Sequence, residues 1–234
     1  MSGQPLPARL LLVTDRHQAA APLEEIVAEA AAAGVRWVWL RDRDLPARER
    51  RALAQRLLMV TRAHDARLSV GGDIELAAEI AADGVQLSAE SNFGACPDRR
   101  TGDHFAGTRA AAVAPARARL GPHALIGVSA HGAADVAAAA AAGADYATLS
   151  PIFPSASKPG YGPALGAAAL GIAARHALPV LALGGVTPAR ADECLRAGAA
   201  GVAVMGEVMR AGGRPGGVRD VVRRYADRLA VAAG

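Results

Sequence analysis

The sequence has few cysteines, and it has no long apolar run. Cys96 and Cys194 are the two cysteines among 234 residues, and neither belongs to a CxxC pair or to a Cys/His metal spacing. This usage indicates a reduced setting without a disulfide framework. No apolar stretch reaches the roughly 18 residues of a membrane span, and no charged segment precedes a long apolar run at the N-terminus. We therefore expect a cytoplasmic protein with no membrane partner.

The chain also lacks the charge pattern of a nucleic-acid-binding protein. Its 26 Lys+Arg are spread among 22 Asp+Glu, so the formal net charge is only +4 although the pI is about 9.7. It contains neither a long basic run nor a platform of aromatic and basic residues. A small anionic ligand explains the mild basic excess better than a nucleic acid does.

Short apolar runs alternate with helical patterns along the whole sequence. The predicted strands are 10–14, 35–40, 67–70, 84–88, 124–129, 146–150, 179–183 and 201–205. The predicted helices are 22–33, 46–64, 73–82, 110–120, 133–142, 165–176, 187–197 and 218–232. Eight repeats of strand and helix predict an α/β fold, a (β/α)8 TIM barrel that takes up residues 1–234 as one domain. A doubly wound open sheet is disfavoured because no GxGxxG follows the first strand.

The segment 89–109 interrupts this alternation with Ser, Asn, Gly, Pro, Asp and Arg. Loops of this length are uncommon inside a compact domain, and those that occur are often functional or mobile. We interpret the segment as a surface insertion, with a flexible lid as the alternative.

Three strand ends carry groups that suit a phosphate. Hydroxyls and an ammonium follow strand six, and glycines, whose backbone N–H groups can approach an anion, follow strands seven and eight. In a parallel barrel the carboxyl ends of all strands lie on one side. The predicted phosphate-binding residues are Ser155, Ser157, Lys158, Gly184, Gly185, Met205 and Gly206. The alternatives are an ordinary exposed lysine and glycines that only serve turn geometry.

Other candidates lie at the ends of strands two and five. Arg41 suits a substrate carboxylate or phosphate, or else a salt bridge at the rim. Trp39 shares its face by alternation and either packs in the core or fills ligand space. Ser129 and His131 share the top of strand five, and the usual histidine pKa of about 6.5 makes His131 the candidate general acid/base. Its alternative role is to shape the loop or cap the next helix.

With these residues in place, the chain resembles the thiamine phosphate synthase and TenI superfamily over nearly its whole length. The matching segments are 12–15, 40–43, 127–131, 143–146, 153–158, 183–187 and 199–205. The resemblance implies a TIM barrel of thiamine biosynthesis that binds a small-molecule thiazole phosphate. It leaves homo-oligomerisation open.

The chain departs from the synthase branch, which uses magnesium to join a thiazole phosphate to a pyrimidine diphosphate. Where that branch has Gln-x-Arg-x-Lys, this chain has Trp39, Arg41 and Arg43, and Arg43 still offers a cation to a phosphate. Where the branch has Asn-Asp after strand three, this chain has glycines at 71–72, although a one-residue shift would offer Asp73. The substitutions argue against condensation, since glycine carries no ligand for magnesium.

A second metal-binding aspartate of the synthases, after strand four, aligns with Ser91, next to Glu90. TenI-type members relax the diphosphate end, and some resemble this chain in residues 85–87 and in the arginine at 43. The resemblance therefore favours a TenI-like thiazole tautomerase, which moves a proton without a metal or other cofactor. One alternative is the synthase itself, with rebuilt magnesium ligands and with Arg41, Arg43, Ser129 and Lys158 at its site. Another is a phosphate-binding barrel without catalysis.

Overall fold

A computed structural model describes residues 5–88, 110–154 and 164–231 of the chain. Within these ranges eight parallel strands follow one another around a closed barrel. Closure is made by β1 and β8, where Leu10 pairs with Val202. The strands are β1 (Leu10–Val13), β2 (Trp37–Leu40), β3 (Arg67–Gly71), β4 (Gly84–Leu87), β5 (Leu125–Ala130), β6 (Tyr146–Leu149), β7 (Val180–Leu183) and β8 (Gly201–Val204). The predicted TIM barrel is confirmed, and the open sheet is excluded because it would leave two strand edges unpaired.

Helices follow the strands and form the outer layer. Those in the described ranges are α1 (Leu23–Ala32), α2 (Ala47–Arg62), α3 (Ile74–Glu79), α4 (Val113–Leu120), α5 (Ala133–Ala141), α6 (Ala168–Ala173), α7 (Pro188–Arg196), α8 (Gly206–Ala211) and α9 (Gly217–Val231). A 3-10 turn, Ala174–His176, continues α6. The six-residue α8 was not predicted, and α3 and α6 are shorter than expected. No helix in the described part of the chain has the length and apolar character needed to cross a membrane.

Local signals explain where several helices begin. Asp73 precedes α3, and its Oδ1 accepts a hydrogen bond from the backbone nitrogen of Leu76 at 2.9 Å, so its side chain caps the helix. Pro188 occupies the first turn of α7, where a missing N–H costs nothing. The Thr187 side chain makes no capping bond.

The alternation of strand residues produces two apolar layers. Leu12, Val38 and Leu40 pack outward with the helices. The other face fills the barrel interior with Leu11, Val13, Trp37, Trp39, Leu125, Tyr146, Leu181 and Ala203. The Trp37 and Tyr146 rings meet edge to face, with centroids 4.5 Å apart. This dense interior excludes a pore, so no ligand site lies inside the barrel.

The predicted insertion at 89–109 falls outside the described residues. It stays a prediction.

Candidate functional site

The C-terminal ends of the strands gather most of the predicted site residues at one rim. Arg41 follows β2, Ser129 and Ala130 end β5, and Gly184 and Gly206 follow β7 and β8. Ser155, Ser157 and Lys158 lie outside the described residues, so their phosphate-binding role stays a prediction.

Arg41 is held at the rim by the end of β1. Its Nη1 lies 3.4 Å from Asp15 Oδ2 and 3.8 Å from Met205 Sδ. Its backbone nitrogen donates to Thr14 Oγ1 at 3.0 Å. About a third of the side chain is exposed, and the guanidinium forms the rim salt bridge, one of the two roles expected from the sequence.

Asp42 was not singled out from the sequence, and it fixes the loops after β1 and β2 to each other. It is buried, and its Oδ2 accepts a hydrogen bond from Thr14 Oγ1 at 2.6 Å. Its Oδ1 accepts from the backbone nitrogen of Arg16 at 2.7 Å. Strand alternation, which turns Asp42 away from the face of Arg41, was the available signal.

Two further contacts complete the β2 end. Arg43 Nη1 donates to Ser88 Oγ at 2.6 Å, which links this end to that of β4. A hydrogen bond from Arg16, followed by one from His17, holds the pKa of Asp44 well below its usual range. Asp44 therefore stays ionised at neutral pH and orients Arg16.

Arg50 braces the rim from α2. Its Nε donates to the carbonyl oxygen of Asp42 at 3.1 Å, and its Nη1 lies 3.0 Å from Asp73 Oδ2. Its Nη2 also contacts the carbonyl oxygen of Gly71. Burial lowers the pKa of Arg50, while the nearby Asp73 opposes that shift. Both carboxylate oxygens of Asp73 are thus engaged, one by Arg50 and one by the cap of α3.

Trp39 forms the floor below Arg41. Only 5% of it is exposed, which agrees with the core-packing interpretation. Its Nε1 is buried and has no hydrogen-bond partner in the described structure. Trp37, one layer lower, donates from Nε1 to Ser69 Oγ at 3.1 Å. A Cβ atom on Gly71 would lie 2.7 Å from Trp39 Nε1, so the indole takes the space of a side chain on β3.

Ser129 and His131 lie side by side at the end of β5. Gln86 Nε2 donates to Ser129 Oγ at 3.1 Å and to Thr148 Oγ1 at 3.2 Å. His131 Nδ1 lies 2.8 Å from the carbonyl oxygen of Ser150. Because a carbonyl only accepts, this contact assigns a proton to Nδ1, and in the neutral ring Nε2 is the acceptor nitrogen.

Asp135 supports the histidine loop. Its Oδ2 accepts a hydrogen bond from the backbone nitrogen of His131 at 2.7 Å. The loop is therefore shaped by Asp135 acting on the backbone, and the imidazole of His131 links β5 to the residue after β6. This contact is also a structural role for the ring, which the sequence offered as the alternative to catalysis.

The glycines after β7 are required by close packing. Gly184 and Gly185 have φ angles of 90° and 64°, in the left-handed region that side chains disfavour. A Cβ atom on Gly185 would lie 2.5 Å from the carbonyl oxygen of Pro154. The backbone nitrogen of Phe153 donates to the carbonyl oxygen of Gly184 at 3.0 Å. Turn geometry thus explains both glycines, and anion binding remains an additional prediction.

Gly206 begins α8, and two residues that the sequence did not single out pack against it. A Cβ atom there would lie 2.5 Å from Gln18 Oε1 and 2.6 Å from Arg210 Nη1. Arg210 Nη1 donates to Gln18 Oε1 at 2.6 Å. A short extra helix after the last strand often joins the phosphate site of such barrels, and α8 has that position.

A closed (β/α)8 barrel with polar side chains and glycine turns at its C-terminal rim is the arrangement of TIM-barrel enzymes, whose active sites lie at that end. A family model described as thiamine monophosphate synthase matches residues 10–208. The chain belongs to this family, the thiamine monophosphate synthase and TenI family of thiamine biosynthesis. The superfamily expected from the sequence is confirmed.

Individual relatives agree with this assignment. A putative thiamine-phosphate synthase of Geobacter sulfurreducens is 40% identical over 202 residues, which are 86% of each chain. A thiamine-phosphate synthase of Roseiflexus sp. is 35% identical over 86% of this chain and 78% of its own. Thiamine phosphate pyrophosphorylase from Pyrococcus furiosus superposes with a TM-score of 0.77 at 26% identity and 97% coverage of both chains.

Proposed function

We propose that this chain joins a thiazole phosphate to a pyrimidine diphosphate, which forms thiamine phosphate and releases diphosphate. The observation that carries the proposal is the 40% identity to the Geobacter protein, which is named a putative thiamine-phosphate synthase. The Roseiflexus relative bears the synthase name as well. These relatives favour the joining reaction over the thiazole tautomerase that the residue substitutions had favoured.

The thiazole phosphate is assigned to the rim between β6 and β8. Gly184, Gly185 and Gly206 offer backbone groups there, with Met205 between the last strand and α8. Ser155, Ser157 and Lys158 complete the proposed phosphate site from the sequence. Phosphate is dianionic near neutral pH, so an ammonium and several N–H donors suit it well.

The pyrimidine diphosphate is assigned to the end of β2. Arg41 and Arg43 supply two guanidinium groups, which can bind phosphate oxygens in pairs. As the diphosphate leaves, negative charge grows on its oxygens, and fixed cations lower the barrier by stabilising that charge. Ser129 lies across the mouth, at the end of β5.

Magnesium, when bound, would supply part of the same charge neutralisation. The described residues do not fit it at the end of β3, because Gly71 and Gly72 have no side-chain oxygen. Asp73 is engaged by Leu76 and Arg50. Across residues 5–88, 110–154 and 164–231, no three His, Cys, Asp or Glu side chains are grouped to hold a metal. No step is therefore assigned to a metal, and Arg41 and Arg43 carry the neutralisation in this proposal.

The direct test is to incubate the purified chain with both substrates and to measure thiamine phosphate by chromatography, with magnesium and with a chelator. We expect the purified chain to form thiamine phosphate. Arg41→Gln and Arg43→Gln should each lower kcat/KM for the pyrimidine diphosphate about 10- to 100-fold. Arg48→Gln, which removes an exposed charge from α2, is the matched control. Absence of thiamine phosphate under all conditions would reject the proposal.

The thiazole tautomerase is the second candidate, and Gly71 and Gly72 are the observation that favours it. A tautomerase needs a phosphate anchor and an acid/base group such as His131, but no diphosphate site and no metal. The same purified chain should then convert the thiazole carboxylate phosphate to its aromatic isomer in the presence of a chelator. Binding of a thiazole phosphate with neither reaction would instead identify a phosphate-binding barrel without catalysis.

A further inference from the structure

Arg210 lies against Gly206 because residues four apart in a helix are neighbours on the same face. Its guanidinium carbon would be 3.3 Å from a Cβ atom on Gly206, and its Nη1 only 2.6 Å from that position. Any side chain at 206 would displace the guanidinium. The guanidinium of Arg210 therefore occupies the space that a side chain at 206 would need, directly after β8.

The charge of Arg210 is not neutralised by a carboxylate among the described residues. Its contact there is with the amide oxygen of Gln18, at 2.6 Å. Glu207, its neighbour in the first turn, is engaged elsewhere, since Arg224 Nη2 and the Tyr225 hydroxyl each lie 2.9 Å from its carboxylate oxygens. Arg41, by contrast, is paired with Asp15. Arg210 thus brings a net positive charge to the Gly206 corner.

The amide of Gln18 is oriented so that its oxygen faces this arginine. Gln18 Nε2 donates to Asp15 Oδ2 at 2.8 Å, which leaves Oε1 for Arg210. The backbone nitrogen of Gln18 also donates to the carbonyl oxygen of Asp15 at 3.1 Å. Asp15 is buried, so the loop after β1 is a firm support.

The same carboxylate also holds Arg41, a second cation of this rim. Asp15 Oδ2 is 3.4 Å from Arg41 Nη1, and Arg41 Nη1 is 3.8 Å from Met205 Sδ. Two guanidinium groups from different elements therefore flank Met205 and Gly206. Among the described residues, Asp15 contacts Arg41 directly and reaches Arg210 through Gln18, and one carboxylate cannot neutralise both cations.

We propose that Arg210 is a phosphate ligand of this corner and that Gln18 and Asp15 are its positioning residues. The inference rests on the proposed function for the identity of the ligand, a thiazole phosphate. A planar guanidinium matches phosphate oxygens in a bidentate manner, and its contact to Gln18 uses one nitrogen only. The residue selects for the phosphorylated ligand over the corresponding thiazole alcohol.

The test measures calorimetric binding of thiazole phosphate, inorganic phosphate and the unphosphorylated thiazole alcohol to the full chain. Arg210→Gln should weaken binding of both phosphate ligands about tenfold and leave binding of the alcohol unchanged. Arg223→Gln removes an equivalent exposed charge from α9 and should leave all three affinities within about twofold. Arg210→Lys should restore part of the loss, because it keeps the charge and loses the planar fork.

Unchanged phosphate affinity in Arg210→Gln would overturn the proposal, and so would equal losses in Arg210→Gln and Arg223→Gln, since these would reflect net charge only. A merely structural role would weaken the alcohol as much as the phosphates, which also overturns it. The binding readout is independent of turnover. A chain that binds phosphate through Arg210 but forms no thiamine phosphate rejects the proposed function and keeps this inference.

Discussion

The indole nitrogen of Trp39 lies 2.7 Å from the point that a Cβ atom on Gly71 would occupy. One layer lower in the barrel, Trp37 Nε1 donates a hydrogen bond to the hydroxyl of Ser69. Ser69 precedes Gly71 by two residues on the same strand. Gly71 offers no such acceptor, and Trp39 Nε1 stays buried without a partner in the described structure. A buried unsatisfied donor costs about 1–3 kcal/mol. Trp39 therefore packs closely against Gly71 without a hydrogen bond that would offset this cost.

Gly71→Ala should therefore destabilise the protein. The added methyl group would press on Trp39 Nε1 and on the carbonyl oxygen of Leu40, and overpacking of this kind costs about 1–3 kcal/mol in the free energy of unfolding. Urea denaturation monitored by circular dichroism measures the change. Gly132→Ala is the steric control, because a Cβ atom there meets nothing within 4 Å, and any cost it shows measures the preference for glycine at the start of α5.

The same substitution in a Trp39→Leu background separates the two contacts. The cost of Gly71→Ala should fall there, since only the clash with the Leu40 carbonyl remains. An equal cost in both backgrounds would show that Trp39 does not require the glycine.

The fold could be predicted because every strand carries its own signal. The run at Leu10–Val13, for example, is apolar on both faces, as expected for a strand covered by helices outside and by packed side chains inside. Gly84 and Gly201 mark the starts of two strands where another backbone approaches closely. Such signals are local, and the right-handed connection of parallel strands then leaves few topologies.

The missed parts of the site depend on contacts between distant residues. Arg210 meets Gln18 across 192 positions of sequence. The six-residue α8 is too short for apolar periodicity to reveal it. The sequence therefore did not show that a helix places Arg210 on the same face as Gly206. Trp39 and Gly71 were each recognised in the sequence as a departure from the synthase pattern. Only the three-dimensional structure shows that the glycine makes room for the indole.

Lys158 is the only lysine in the sequence, and all the other Lys+Arg residues are arginines. Lys158→Ala should weaken binding of thiazole phosphate by about 1.5–3 kcal/mol, because a charge-assisted contact is lost. Calorimetric titration measures the affinity, and Lys158→Arg, which keeps the charge, is the control. Unchanged affinity in Lys158→Ala would remove this residue from the predicted site.

Cys194 should resist alkylation in the native protein. Burial in α7 raises the pKa of its thiol to about 11, with the nearby Glu193 acting in the same direction. At pH 8 only about a thousandth of a thiol with that pKa is present as the reactive thiolate. Peptide mass spectrometry after iodoacetamide treatment should find Cys194 unmodified before denaturation and modified after it. Rapid native labelling of Cys194 would contradict the burial of α7 against the barrel.

His131→Asn distinguishes the two candidate reactions. The asparagine amide nitrogen can take the place of Nδ1 and donate to the carbonyl oxygen of Ser150, so the link between β5 and β6 is kept. What the variant loses is Nε2, the ring nitrogen that would exchange a proton with the substrate. Tautomerisation should fall by about 10²- to 10⁴-fold, the usual contribution of a positioned acid/base group.

Formation of thiamine phosphate should change less than about tenfold in the same variant, because the joining reaction as proposed here depends on Arg41 and Arg43 for charge stabilisation. Both rates are measured between pH 6 and 9, with thiazole phosphate affinity as the check on folding and anchoring. His131→Gln places its amide nearer the Nε2 position, loses the Ser150 contact and controls for that link. If His131→Asn tautomerises at the wild-type rate across this pH range, another group moves the proton, and His131 is a structural link between two strand ends.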